Sequence, residues 1–208
     1  MARYVDATCK LCRREGVKLF LKGEKCTTKK CPLERKPYAP GKTPNQRFQK
    51  RISDYGRQLR EKQKVKRAYG LLESSMRKYY DKATKMKGIV GQNMLSLLER
   101  RLDNVVFRMG IASSRAQARQ MVNHGIIKVN GIKVDIASYQ VQAGDTISIN
   151  ETKKQNSLIK DLKGLKLVTP KWLEFDSNSL EGKIISLPER EDIDLKIEEH
   201  LIVELYSR

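Results

Sequence analysis

Acidic residues are scarce. The 208-residue chain carries 24 Asp and Glu against 43 Lys and Arg, a formal charge of +19. Such an excess makes a compact state repel itself unless a polyanion neutralises it. It is also unevenly placed: residues 1–87 hold 26 bases and 8 acids, net +18, whereas residues 88–208 hold 17 and 16, net +1. Aromatics are few at 6%, with one Trp, and hydrophobic residues reach 39%. That composition suits a modest core, as one large domain or two smaller ones. Histidine occurs only at His124 and His200. There is no Walker-type phosphate loop, no G-x-S-x-G and no H-E-x-x-H, so these enzyme classes have no motif here. No run of about 18 apolar residues is present to span a bilayer. The opening MARYVDATCK has no apolar stretch like a signal peptide's, so the expected compartment is the cytosol, where thiols stay reduced. No repeat or low-complexity segment is visible.

Cysteine is absent beyond residue 31. All four lie in CKLCRREGVKLFLKGEKCTTKKC, residues 9–31, spaced C-x2-C-x13-C-x4-C among eight Lys or Arg and two acids. In a reducing compartment such grouping favours a metal over disulfides. Cys9, Cys12, Cys26 and Cys31 suit one closed tetrahedral Zn2+, with CKLC as a tight knuckle. An iron–sulfur cluster on the same thiolates is the second choice, and unliganded thiols the third. The surrounding cations are expected to lower the thiol pKa values and to offset a dianionic zinc–tetrathiolate unit.

Residues 32–52 contain Pro32, Pro37, Pro40 and Pro44 with six basic residues, and read as an extended basic connector. Ser53 is placed to N-cap a helix running to about Tyr69 and closed by Gly70. That helix carries Arg57, Arg60, Lys62, Lys64, Lys66 and Arg67 against Asp54 and Glu61, so it reads as a solvated or nucleic-acid face. Membrane-surface insertion needs an apolar face that residues 53–69 lack. A helix near 73–87 puts Met76, Tyr79, Tyr80, Ala83 and Met86 at helical spacing, a packing stripe ended by Gly88. From Gln92 to Met109 the apolar period of one amphipathic helix runs through Leu95, Leu98, Leu102, Val105 and Val106, ended by Gly110. Ser114 and Gln117 form a capping box, and Gly125 a helix stop. IIKVNGIKV is a hairpin about Asn130-Gly131. AGDTISI, KWLEF and KIISL read as strands, residues 153–166 as partly helical, and the acids of 189–199 as a solvated loop. In this reading Arg101, Asn104 and Arg108 share one helix face, and Arg115, Arg119 and Asn123 another, giving a small α/β unit a basic edge.

The stretch RLDNVVFRMGIASSRAQARQMVNHGIIKVNGIKVD resembles the S-four-type RNA-binding module, which also occurs in pseudouridine synthases and tyrosyl-tRNA synthetases. ARYVDATCKLCRREGVKLFLKGEKC, SDYGRQLREKQKVKRAYG and EHLIVELYSR resemble the bacterial small-subunit ribosomal protein four family, in its zinc-binding form. The likeness covers nearly the whole chain. PGKTPNQ, residues 40–46, departs from the Pro-Gly-x-His-Gly turn usual in that family.

The resemblance implies an α+β fold: a mainly helical RNA-binding domain with a four-cysteine metal-knuckle arm, plus a small α/β S-four-type domain. The expected boundaries are 1–44 for the arm, 45–92 for the helical domain with 193–208 packing back on it as helix, and 93–192 for the α/β domain, its module at 101–149. It implies a primary binder of small-subunit ribosomal RNA that docks on a multi-helix junction, nucleates assembly of the body and influences translational accuracy. The expected location is the small ribosomal subunit in the cytoplasm, beside small-subunit ribosomal protein five, with its own operon messenger as a further RNA partner and no membrane. The expected RNA contacts are Arg3, Arg13, Arg14, Lys18, Arg47, Lys50, Arg51, Arg57, Arg60, Lys62, Lys64, Lys66 and Arg67. Arg101, Arg108, Arg115, Arg119, His124 and Lys128 add to these from the module, with Tyr4 and Tyr55 as stacking or sugar contacts. No catalytic residue is expected. The competing reading is an RNA-modifying or RNA-chaperone protein using the same module.

Overall fold

A computed structural model of the chain describes residues 4–41, 52–153, 159 and 169–208. It forms two compact units, Met1–Met94 with Leu195–Arg208, and Leu95–Asp194.

The first unit is helical. It contains α1 (Cys9–Glu15), a 3-10 turn at Gly23–Cys26, the single-turn α2 (Pro32–Arg35), α3 (Asp54–Ala68), α4 (Glu73–Ala83), the start of α5 (Val90–Glu99) and the last helix of the chain, α8 (Glu199–Ser207). The Ser53 hydroxyl accepts the Gly56 N–H at 3.2 Å and starts α3. Gly70, at φ +62°, stops it. The Leu71 N–H reaches back to the Lys66 carbonyl at 2.9 Å and the Gly70 N–H to that of Arg67 at 3.2 Å. This is the paired C-terminal closure that needs a left-handed residue. α3 packs against both α1 and α8. Buried Val65, Ala68, Met76, Tyr79, Tyr80, Ala83 and Ile202 make the interior, so the tyrosine stripe of α4 is packing. α4 stops at Ala83, short of Gly88. There the Thr84 hydroxyl donates to the Asp81 carbonyl, and i→i−3 bonds from Lys85 and Met86 tighten the turn.

The second unit joins α6 (Leu102–Arg108) and α7 (Arg115–Asn123) to an antiparallel five-stranded sheet. The strands are β1 (Ile127–Val129), β2 (Ile132–Lys133), β3 (Thr146–Ile149), β4 (Leu173–Asp176) and β5 (Glu181–Ile184), in the order β2-β1-β3-β5-β4. Val129 pairs with Ile132 across Asn130-Gly131, whose φ values of +50° and +78° fit the two-residue turn that matches strand twist. The Asn130 side-chain oxygen Oδ1 also accepts the Thr146 N–H at 2.9 Å, tying the turn to β3. Leu102, Val105, Val106 and Met109 of the α6 region and Ala118 and Val122 of α7 pack with Ile127, Ile147, Ile149, Trp172 and Ile184 in one core. Each fully buried Leu, Val, Ile or Met among these contributes about 1.5–3 kcal/mol relative to exposure. β5 begins earlier and ends earlier than KIISL, because Ile185 and Leu187 point to solvent. Of residues 153–166, only Lys153 and Ile159 are described, the latter helical and buried.

The apolar period over Gln92–Met109 belongs to two helices, not one. Arg101 has extended backbone, φ −66° and ψ 135°, between α5 and α6. The N–H groups of Leu102 and Asp103 leave the helix pattern and donate to the carbonyls of Tyr139 and Ala137, and Val141 N–H donates to Arg100. These bonds to a segment some forty residues on satisfy the start of α6, so the helix breaks without Pro or Gly.

Candidate nucleic-acid interface

The cations of α3 are largely ion-paired. Arg60 and Arg67 converge on Glu15 of α1, whose side chain is only 1% exposed. Lys62 and Lys66 both reach Glu73, at 2.7 and 2.9 Å, and Lys64 pairs with Glu61. Arg57, well exposed, pairs with Asp54. Burial pushes the Glu15 carboxyl up, against the pull of Arg60, Arg67, Lys64 and Arg14. Glu73 goes the other way. Partial burial would raise it, but hydrogen bonds from Lys62, Lys66 and Tyr206 hold it at about 2. The Tyr206 ring lies 4.8 Å from that of Tyr80, so Glu73 fastens α8 to α3 and α4.

The same holds in the second unit. Arg101 is buried and makes a bidentate pair with Asp103, at 3.0 and 2.6 Å, and Arg119 stands 3.6 Å from that carboxylate. Arg108 makes a bidentate pair with Glu99, at 3.0 Å to each oxygen, and also meets Asp194. Asn104 donates to Glu99 at 2.6 Å and accepts from Arg115 at 2.7 Å, whose guanidinium lies over Phe107. The basic edge read from spacing is therefore a closed network in which Glu99, Asp103 and Asp194 answer the arginines. Arg101 lies before α6 rather than on its face.

Cys9 and Cys12 lie one turn apart on α1, so the expected tight knuckle is a helical turn. Cys12, Cys26 and Cys31 are buried. Burial pushes the Cys12 thiol up; a backbone hydrogen bond from Leu19 opposes this, and the charges of Cys26, Cys9 and Cys31 reinforce it. The expected lowering by nearby cations fails for this thiol, because Lys10, Arg14, Lys22, Lys25, Lys29 and Lys30 are exposed to water while the sulfur is not. The Lys22 N–H donates to the Cys26 sulfur at 3.4 Å. The four thiols thus share one neighbourhood. Among the described residues, however, no three His, Cys, Asp or Glu side chains stand close enough together to hold a metal ion as they are placed.

Comparison with known proteins identifies the scaffold. Residues 3–99 match the Ribosomal protein S4/S9 N-terminal domain, and residues 100–147 the S4 domain. Small ribosomal subunit protein uS4 of Thermoanaerobacter sp. (strain X514) is 56% identical over 208 residues, spanning 100% of both chains. That of Caldicellulosiruptor bescii is 56% identical over 210 residues, and uS4A of Alkaliphilus oremlandii 57% over 209, each again spanning 100% of both chains. The chain belongs to the small ribosomal subunit protein uS4 family.

Arg3, Arg47, Lys50 and Arg51 lie outside the described residues, as do positions 42–46 of the departing loop. Tyr4 and Tyr55 are exposed, at 44% and 54%. Arg14 is exposed, whereas Arg13 donates to the carbonyls of Lys36 and Tyr38 and lies over the Tyr38 ring, so it braces the arm. Lys18 pairs with Glu34. His124 is exposed just past α7, and Lys128 is half-buried on β1. Sequence reasoning missed the acids that hold the cations: Glu15, Glu73, Glu99 and Asp103. Glu15 lies 45 and 52 residues from its arginines, and no local spacing rule reaches that far. Among the described residues no helix is long and apolar enough to cross a membrane.

Proposed function

We propose that this chain is a structural, RNA-binding component of the small ribosomal subunit and not an enzyme. The observation that carries this reading is its full-length identity, above half, to proteins named for that subunit. Physical chemistry agrees, since a first unit with most of a +19 charge needs a polyanion beside it. Lys and Arg contacts to phosphate supply affinity by counterion release, and folded RNA is read by shape, backbone and 2′-hydroxyls. The exposed candidates Arg14, Arg57, His124, Tyr4 and Tyr55 make the outward contacts. The paired ones, Arg60, Arg67, Arg108 and Arg119 among them, hold the surface in shape.

The finer reading is a primary binder of small-subunit ribosomal RNA that docks on a multi-helix junction, nucleates the body and tunes decoding accuracy. Small-subunit ribosomal protein five is its proposed protein neighbour, its own operon messenger a second RNA ligand, and the cytoplasm its place. RNA-modifying chemistry is disfavoured because Arg101, Arg108 and Arg119 of the module are engaged by Glu99 and Asp103.

We also propose one Zn2+ on Cys9, Cys12, Cys26 and Cys31. The donor set suits it: four thiols in one neighbourhood, three of them buried, with an N–H of Lys22 already turned to the Cys26 sulfur. Zinc bound there would supply folding free energy to an arm with little apolar content.

Filter binding tests the main reading. Affinity for small-subunit RNA is expected to exceed that for unrelated RNA of equal length and to fall steeply with salt. Equal affinity for both would reject it.

A further inference from the structure

α4 carries a row of lysines that the packing reading of this helix leaves without a role. Met76, Tyr79, Tyr80 and Ala83 face inward, while Ser74, Lys78 and Lys82 lie outward within a narrow arc and Lys85 is exposed just past the helix end. Lys78 and Lys82 sit one turn apart, about 6 Å along the axis. The Lys85 N–H bond to the Lys82 carbonyl carries the row past the helix end, and the Asn93 side chain donates to the Lys87 carbonyl at 3.2 Å to hold the turn that follows.

The contrast with α3 gives this row its meaning. Residues 52–87 hold eleven cations. Seven of these are ion-paired, namely Arg57, Arg60, Lys62, Lys64, Lys66, Arg67 and Arg77. The other four are Lys78, Lys82, Lys85 and Lys87, all exposed, for which the structure shows no acidic partner among the described residues. The helix with the most positive charge in the sequence has consumed it internally, and the unanswered field lies on its neighbour. Like charges one turn apart oppose helix formation, and the nearest acid, Asp81, is taken by Arg77.

We infer that the outer face of α4 with its following turn, Lys78 to Lys87, is a contact surface for the phosphate backbone of RNA. The inference rests on the proposed function and adds a surface to it. A flexible lysine row reads charge, not sequence, so the contact positions the protein and contributes to the salt dependence without selecting bases.

The test is the triple variant Lys78→Gln, Lys82→Gln, Lys85→Gln of the full chain, titrated with small-subunit RNA between 50 and 200 mM salt. Loss of three contacts is expected to flatten the log–log salt slope by roughly 2–3 and to weaken binding about tenfold or more. Thermal unfolding should be unchanged or slightly raised, since no partner is removed and the repulsion between Lys78 and Lys82 is relieved. The triple Arg variant should keep wild-type affinity and slope. Ultraviolet cross-linking of the wild-type complex should place RNA adducts within residues 78–87, which keeps the idea testable if the Gln variant folds poorly. An unchanged slope, or cross-links absent from that segment, overturns it. So does an unchanged slope with lost binding to polyglutamate or to anionic vesicles, which would assign the row to an acidic protein or a lipid surface. If wild-type chain prefers small-subunit RNA and the variant matches it, only this inference falls. If wild-type chain shows no preference, the proposed function falls and takes the inference with it.

Discussion

Glu15 on α1 and Arg67 on α3 form an ion pair across 52 residues of sequence, and Arg60 meets the same carboxylate oxygen. The other oxygen of Glu15 is buried and makes no hydrogen bond among the described residues. This carboxylate is therefore a joint between the cysteine arm and the central helix. Glu15→Ala is expected to cost about 1–2 kcal/mol, less than a fully buried pair because the two arginines stay 21–29% exposed. Urea unfolding gives the cost. A double-mutant cycle with Arg67→Ala should show coupling above about 0.5 kcal/mol. Additive effects would mean that the contact does not join the two elements.

Glu73 sets a pH dependence. Its folded pKa of about 2 lies below the ordinary 4.5. A depressed carboxylate stabilises the fold fully above its unfolded pKa and loses that contribution as pH falls through its folded value. The window is therefore pH 4.5 down to 2. Glu73→Gln should lower stability at neutral pH and flatten the acid limb of the stability curve across that window. The carboxylate is 47% exposed, so water screens the effect and it stays modest. An acid limb identical in both proteins would show that Glu73 is not the group that fastens α8.

Local chemistry was legible from residue types alone. Ser53 and Gly70 bound α3, Asn130-Gly131 makes the hairpin, and the tyrosines of α4 face inward. Ser114 caps α7 as its side chain suggests, yet Gln117 completes the box with Ser113 instead of Ser114. The break before α6 was hidden because Leu98, Leu102 and Val105 keep a helical period across it, while the bonds that cause it come from residues 137–141. The fate of the charges was hidden for the same reason. Composition reports how many cations there are, but pairing with Glu15, Glu73, Glu99 and Asp103 is decided by the fold.

The cysteine arm has few apolar residues to hold it. Replacing Cys9 and Cys12 by Ser is expected to release about one zinc per chain and to loosen residues 1–40, with faster amide exchange at Leu19, which is buried beside Cys12. Native mass spectrometry reads the metal. Equal metal content in wild type and variant would reject the four-thiolate assignment. Metal release without change in exchange would show that packing, including the Glu15 joint, already orders the arm.

Asp103 serves two cations, so the order of two substitutions is fixed by the structure. Asp103→Ala takes from Arg101, only 3% exposed, the carboxylate that meets it bidentately, and takes the same group from Arg119. The expected cost is about 3–5 kcal/mol. Arg101→Met removes the buried charge itself and leaves Asp103 to Arg119, so it should cost less than half as much. Combining the two should recover part of the Asp103→Ala loss, because an apolar side chain replaces a buried guanidinium that has lost this carboxylate. Guanidinium unfolding of the three variants gives the ranking, and RNA binding of Arg101→Met separates structure from contact. A variant as stable as wild type that binds small-subunit RNA tenfold more weakly would mean that Arg101 turns outward to phosphate and is not held by Asp103.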